Sequence, residues 1–409
     1  MSEPTLSELI DGSPLVVCLG PGGVGKTTVS SVLALHRAAA GAKALVLTID
    51  PARRLADALG LKGLTNDPIN VTAYQRMHPA GSLAALMLDP GNTFDHLITM
   101  LVSDPARRER LLQNRFYQHM SRSLIGTLEY MAVERLHDLV RAGTYDGIVL
   151  DTPPTTNALD FLEAPEKLAN FFSERIVKAF QPNKSTGWAS RLLSTASSAT
   201  LGLLSKVAGE EYVDETVAFF EAFADLFGSF RDRGLAVGKL LRDPKSVFVI
   251  VLGPDPGRLA EAKEIDRRLA EAGCPARAFI VNRVDQAFLP DQAELADTVA
   301  RATALLGGPG EAERVRLFLE RLEALRQSQA SSAAAHARIV DELRAWAGKR
   351  PVFIAPGVPA GQSPRASLLA IYVGLFAHDA APAAREEHAP TAPPSNHPHR
   401  RATDGSTSA

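Results

Sequence analysis

Gly20-Pro21-Gly22-Gly23-Val24-Gly25-Lys26-Thr27 sets four glycines, a lysine and a hydroxyl within eight residues, between an apolar run and a helix-patterned stretch. The segment matches G-x-x-x-x-G-K-[ST], and its chemistry would be the cradling of a polyphosphate. Glycines let successive backbone N–H groups turn inward, and the next helix adds its positive end. Lys26 would balance charge on the β- and γ-phosphates, the Thr27 hydroxyl would ligate Mg2+, and Thr28 completes the segment. An incidental Gly-rich turn is the competing reading.

Two acids end apolar runs further along. Asp50 closes a second run, where a carboxylate at a strand's C-terminal edge is placed to orient a water for in-line attack. The same residue, with Pro51 behind it, would equally cap a helix. Asp151 closes Asp146-Gly147-Ile148-Val149-Leu150. An apolar strand ending in Asp is what a Mg2+ site opposite the phosphate loop needs, although Asp also occurs as a turn residue.

These residues need strands and helices to hold them. Residues 15–19, 44–49, 147–150 and 247–252 read as buried strands, and 278–281 and 352–355 are similar. Helix-patterned sequence separates them, including 29–40 and 311–346. The pattern predicts an α/β fold: a mainly parallel sheet with helices on both faces. Residues 1–13 form an N-terminal lead, 14–377 the domain itself, and 380–409 a Pro-, Ala- and Ser-rich disordered tail. Helical insertions are expected at about 83–142, with 83–101, 107–120 and 125–142 as its helices, and at 158–241.

A formal charge of −2 over 409 residues gives no field that would favour nucleic acid. No stretch of about 18 apolar residues spans a membrane and the N-terminus has no secretory pattern. Cys18 and Cys274 are the sole cysteines, which suits a reducing compartment and a cytoplasmic location.

Gly-x-Gly-Gly-Val-Gly-Lys-Thr-Thr, ending at Thr28, resembles the deviant phosphate loop of the arsenite-pump and tail-anchored-protein-targeting ATPases (ArsA-type) and of the division-site and chromosome-partitioning ATPases. That branch normally carries a lysine directly after the first glycine, reaching across a dimer to the partner's nucleotide. Pro21 stands there instead and offers neither charge nor an N–H donor. Arg53 and Arg54 are candidate replacements, with a solvated helix surface as the alternative.

Asp50-Pro51-Ala52 looks like the family's first switch, and Asp151-Thr152-Pro153-Pro154-Thr155 resembles its second, in which Thr155 and Thr156 would sense the γ-phosphate. The family's adenine-contacting asparagine falls on Asn282. Pro356-Gly357-Val358 resembles the loop that closes over the base, and is also a plain turn. Asn282-Arg283-Val284-Asp285 equally imitates the guanine-reading Asn-Lys-x-Asp of GTPases, so both bases stay open. Leu86-Met87-Leu88-Asp89 through Phe94, with Gly126-Thr127-Leu128-Glu129-Tyr130-Met131, looks like the bacterial, single-domain arsenite-pump-like branch.

The resemblance implies a Mg-dependent ATPase that couples hydrolysis to a conformational change acting on a partner or client. It further implies a homodimer and a membrane-protein client or membrane partner, with helices at 188–207 and 213–230 forming a groove or packing as a lid. No Cys-x-x-Cys is present for a dimer zinc, and two cysteines cannot make an arsenite-binding trio of thiolates, so neither zinc nor arsenite transport is expected. Two other functions fit the residues: a nucleotide-binding regulatory or scaffold protein with little turnover, and a GTPase reading guanine through Asn282 and Asp285.

Overall fold

The computed structural model describes residues 3–50, 54–77, 80–89, 102–114, 127–153, 227–285, 309–359 and 361–377, with isolated positions 95, 98, 99, 118, 297 and 301. Strands β1 (Leu15–Leu19), β2 (Lys43–Thr48), β3 (Ile69–Asn70), β4 (Ser82–Met87), β5 (Gly147–Asp151), β6 (Val247–Leu252), β7 (Ala278–Val284) and β8 (Val352–Pro356) form one sheet in the order β3-β4-β2-β5-β1-β6-β7-β8. Among the described residues only the β3 to β4 pairing is antiparallel. The described helices are α1 (Leu6–Ile10), α2 (Lys26–Ala39), α3 (Arg54–Leu59), α4 (Pro105–Gln113), α5 (Thr127–Ala142), α6 (Phe227–Leu241), α7 (Pro256–Glu271), α8 (Pro309–Ala347) and α9 (Pro364–Phe376).

Strands β1 and β6 are apolar at every position because both faces are covered. Along β1, Leu15, Val17 and Leu19 enter one core with side chains of α4 to α8, while Val16 and Cys18 enter a second with α1, α2, α3 and α9. This is the period-2 alternation of a strand applied to a sheet without a wet side. The expected parallel, doubly covered sheet is what forms.

Helix α2 is the element that links core to site. Its N-terminus continues directly from the phosphate-loop segment, and Val29, Val32, Leu33 and Leu35 are fully buried. Ser30 and Ser31 donate to the carbonyls of Lys26 and Thr27, at 2.9 and 2.7 Å, so their hydroxyls are satisfied within the helix. Near its C-terminal end the buried Arg37 donates to Ser13 O at 2.5 Å and Asp146 O at 3.3 Å, and the helix stops where Gly41 turns to φ +96°.

One expectation is overturned. The insertion at 83–142 does not begin as a helix: Ser82–Met87 is strand β4, paired in parallel with β2, and the two-residue β3 on its far side was not anticipated. Leu and Ala favour helices, and a short continuous apolar run cannot be told from a buried helix by its period. Pairing to β2, with Leu83 to Leu86 buried, decides it. The helices expected at 107–120 and 125–142 appear as α4 and α5, and that at 311–346 as α8. The groove helices at 188–207 and 213–226, the tail at 380–409, and the switch residues Pro51, Ala52, Arg53, Pro154, Thr155, Thr156 and Asn157 lie outside the described residues.

Helix α8 is 39 residues long and packs mainly through its C-terminal part, where Val340, Leu343 and Ala347 are buried. Arg350, just beyond it, grips Asp266 of α7 with two hydrogen bonds of 2.6 and 2.8 Å, and Trp346 Nε1 adds a third at 2.9 Å. A bidentate pair on a nearly buried carboxylate is a strong, directional tie.

Candidate nucleotide site

The C-terminal edges of the parallel strands bring the predicted chemistry together. Register pairs Cys18 with Asp151 and Thr48 with Asp151, so β1, β5 and β2 end side by side, as ligand crevices of open α/β sheets require. Gly20 leaves β1 at φ +148° with its α-carbon against β6, where an added Cβ would overlap the Val251 carbonyl oxygen. Gly25 enters α2 at φ +89°, and a Cβ there would overlap the Asn282 amide. Both positions favour glycine, Gly20 because backbone blocks a Cβ and Gly25 because of its φ and the Asn282 amide. Between them Pro21 and Val24 are buried and Gly22 and Gly23 lie nearer solvent.

Gly25 supplies no side-chain cap to α2, so the first-turn amides of Lys26, Thr27 and Thr28 have no partner within the helix and present positive charge at the loop. Lys26 is buried, and its ammonium donates to Gly20 O at 2.8 Å and Pro21 O at 2.9 Å. Desolvation pulls its pKa down to about 8, against the opposing pull of Asp151 and Asp50.

Asp151 is fully buried. Its Oδ2 accepts from Thr48 Oγ1 at 2.9 Å and its Oδ1 lies 3.4 Å from Ser30 Oγ. Burial pushes its pKa up to about 6, opposed by hydrogen bonds from Thr27 and Thr48 and by the Lys26 charge. Asp50 sits at the corner's mouth, 13% exposed, with Arg54 Nη1 3.0 Å from its Oδ2. The Thr48 hydroxyl joins the two acids: it donates to Asp151 and accepts from the Asp50 backbone N–H at 3.2 Å. Lys26, Thr27, Asp50, Arg54, Thr152 and Arg283 line a cavity of about 440 Å3.

Adjoining it, a cavity of about 680 Å3 is lined by Asn282, Arg283, Asp285, Gln329, Pro356 and Gly357. Asn282 is 2% exposed, and its Nδ2 donates to Val24 O at 2.8 Å, which leaves its Oδ1 buried without a partner. The β7 to β8 register slips between Val281 and Val284, and Arg283 there takes φ 65°, the sole positive φ outside glycine among the described residues. Asp285 is turned to α8: its Oδ2 accepts from Ser332 Oγ at 2.6 Å and its backbone N–H donates to His336 Nδ1 at 3.0 Å.

A family model described as anion-transporting ATPase matches residues 14–300. The chain belongs to that family. It is therefore an ATP hydrolase, as the loop and acids led one to expect. ATPase GET3 of Malassezia globosa is 25% identical over 69% of this chain and 76% of its own length. ATPase ARSA2 of Chlamydomonas reinhardtii is 27% identical over 69% of this chain and 72% of its own length. A putative arsenical pump-driving ATPase 2 of Aquifex aeolicus is 27% identical, covering 65% and 78%. The matches do not single out a bacterial branch. Among the described residues no helix of this ATPase is long and apolar enough to cross a membrane.

Sequence reasoning missed Thr48, Ser30, Arg37 and Gln329. A threonine one residue before Ile49-Asp50 in an otherwise apolar run was the available signal for the first. The others are ordinary helix residues in the sequence.

Proposed function

We propose that the chain binds ATP with its triphosphate along Gly20 to Thr28 and its adenine beside Asn282, under the loop that starts at Pro356, and hydrolyses it with Asp50 orienting the attacking water. The observation that carries this reading is the shared Thr48 hydroxyl: it holds Asp50 and Asp151 at one corner with Lys26. Lys26 donates to two loop carbonyls, and exchanging those for β- and γ-phosphate oxygens would move its charge a short way along the loop. The donor set fits Mg2+: the Thr27 hydroxyl and the Asp151 carboxylate are hard oxygens in hydrogen-bonding contact, and few protein ligands suit an ion that keeps waters and phosphate oxygens. Bound there, the ion would neutralise charge on the phosphates. Arg54 holds the Asp50 carboxylate in place, which orients a water without taking the acid's negative charge away. Engagement of Asp285 by Ser332 supports adenine over the guanine reading, because a guanine-reading aspartate needs its carboxylate for the base.

The family and the relative named as pump-driving support a role in which hydrolysis drives a conformational change that acts on a partner, with a homodimer and a membrane-protein client or membrane partner as its setting. Steady-state turnover with Mg2+ and ATP is the test. Wild type should exceed Asp50→Asn by about a hundredfold or more, and chelation of Mg2+ should abolish the difference. Equal rates for the two proteins would favour a scaffold with little turnover.

A further inference from the structure

Two side-chain carbonyl oxygens at the base cavity are buried without a hydrogen-bond partner, Asn282 Oδ1 and Gln329 Oε1. Buried acceptors are rarely left so, which makes a pair of them on one cavity a specific signal for a donor that arrives with a ligand. The Asn282 amide cannot turn over, because its Nδ2 is committed to Val24 O at 2.8 Å. Gln329 comes from α8, where Gln329, Ser332 and His336 recur at three- and four-residue spacing on one face. Ser332 and His336 both bond Asp285 at the end of β7, so that face of α8 is pinned against the cavity and carries Gln329 over it.

We propose that Gln329 is a base-reading residue of this site and that its carbonyl, with that of Asn282, selects a purine bearing an exocyclic amine at C6. The inference rests on reading the cavity as the base site. An amine of this kind has two N–H donors, one for each carbonyl. Guanine presents a carbonyl oxygen at the same position, which the fixed Asn282 carbonyl would oppose and the Gln329 carbonyl would not bond. Thus α8, distant in sequence from every motif, supplies half of the discrimination.

The test compares ATP, GTP and purine riboside triphosphate, which has hydrogen in place of the amine, by calorimetry with Mg2+. Wild type should prefer ATP over purine riboside triphosphate by about tenfold or more. Gln329→Met, similar in volume and with only a weak thioether acceptor, should lose about five- to tenfold in ATP affinity and leave purine riboside triphosphate within about twofold. Gln329→Glu keeps an acceptor and should retain the preference for ATP, which also guards against misfolding as the cause. An unchanged ATP preference in Gln329→Met overturns the assignment and leaves the nucleotide site standing. Failure of wild type to bind any of the three removes the site itself, and this inference with it.

Discussion

The proposed phosphate corner and the proposed base cavity meet at Gly25 and are built on opposite plans. At the corner the charged groups are satisfied among themselves: Lys26 by two loop carbonyls, Asp151 by Thr48, Asp50 by Arg54. Around the base, Asn282 and Gln329 each keep a carbonyl unspent and Arg283 is held at φ 65°. A preorganised corner favours the transition state because its dipoles need not rearrange during reaction. Open valences favour recognition instead, since only a ligand with the right donors fills them.

The largest effects should come from the corner. Lys26→Ala is expected to reduce ATP turnover by at least about a thousandfold, since it removes the buried cation between loop and phosphates; a rate near wild type would refute the assignment of the loop.

Asp151→Asn should also abolish turnover while making the fold more stable at pH 7.5. The native carboxyl titrates near 6 against an ordinary value of 3.8, so the folded state binds the proton more tightly and the ionised group destabilises it above that pH. A neutral amide relieves about 1–3 kcal/mol of this, readable as a higher urea midpoint. A lower midpoint would mean that its partners already compensate the buried charge. The same pair of groups predicts that wild-type kcat/KM falls below about pH 6, as Asp151 takes a proton, and above about pH 8, as Lys26 loses one.

Gly25→Ala strikes both regions at once. The added methyl meets the Asn282 amide at a backbone φ of +89°, so triphosphate affinity and base preference should weaken together, by about tenfold in ATP affinity. Loss of one without the other would show that the two regions are less joined than their geometry suggests. The smallest effect is expected from Ser332→Ala, which frees one bond to Asp285 and should cost about two- to threefold in ATP preference over GTP.

The corner was legible in the sequence because its residues are local to strand ends. Glycines before Lys26, an acid ending each of two apolar runs and a third run beside them suffice to place Gly20, Asp50 and Asp151 on one edge. Thr48 was not legible, since a threonine in a strand has an ordinary β-forming reading. Strand β4 was misread because Ser-Leu-Ala-Ala-Leu-Met has helix-forming composition and its decisive partner, β2, is a tertiary fact. The base cavity was half legible: Asn282 sits near the C-terminal end of a strand, whereas Gln329 reaches the site only because Asp285 fastens a remote helix to it.

One helix carries the buried Lys26 at its first residue and a buried arginine anchor eleven positions later. Each residue added to a helix rotates the remainder by about 100° and advances it by about 1.5 Å. A single insertion or deletion between Lys26 and Arg37 would therefore swing one end out of place whichever end stayed seated. Side chains along α2 can be exchanged for others of like volume, but its length behaves as a fixed gauge between the floor of the sheet and the loop that Lys26 closes.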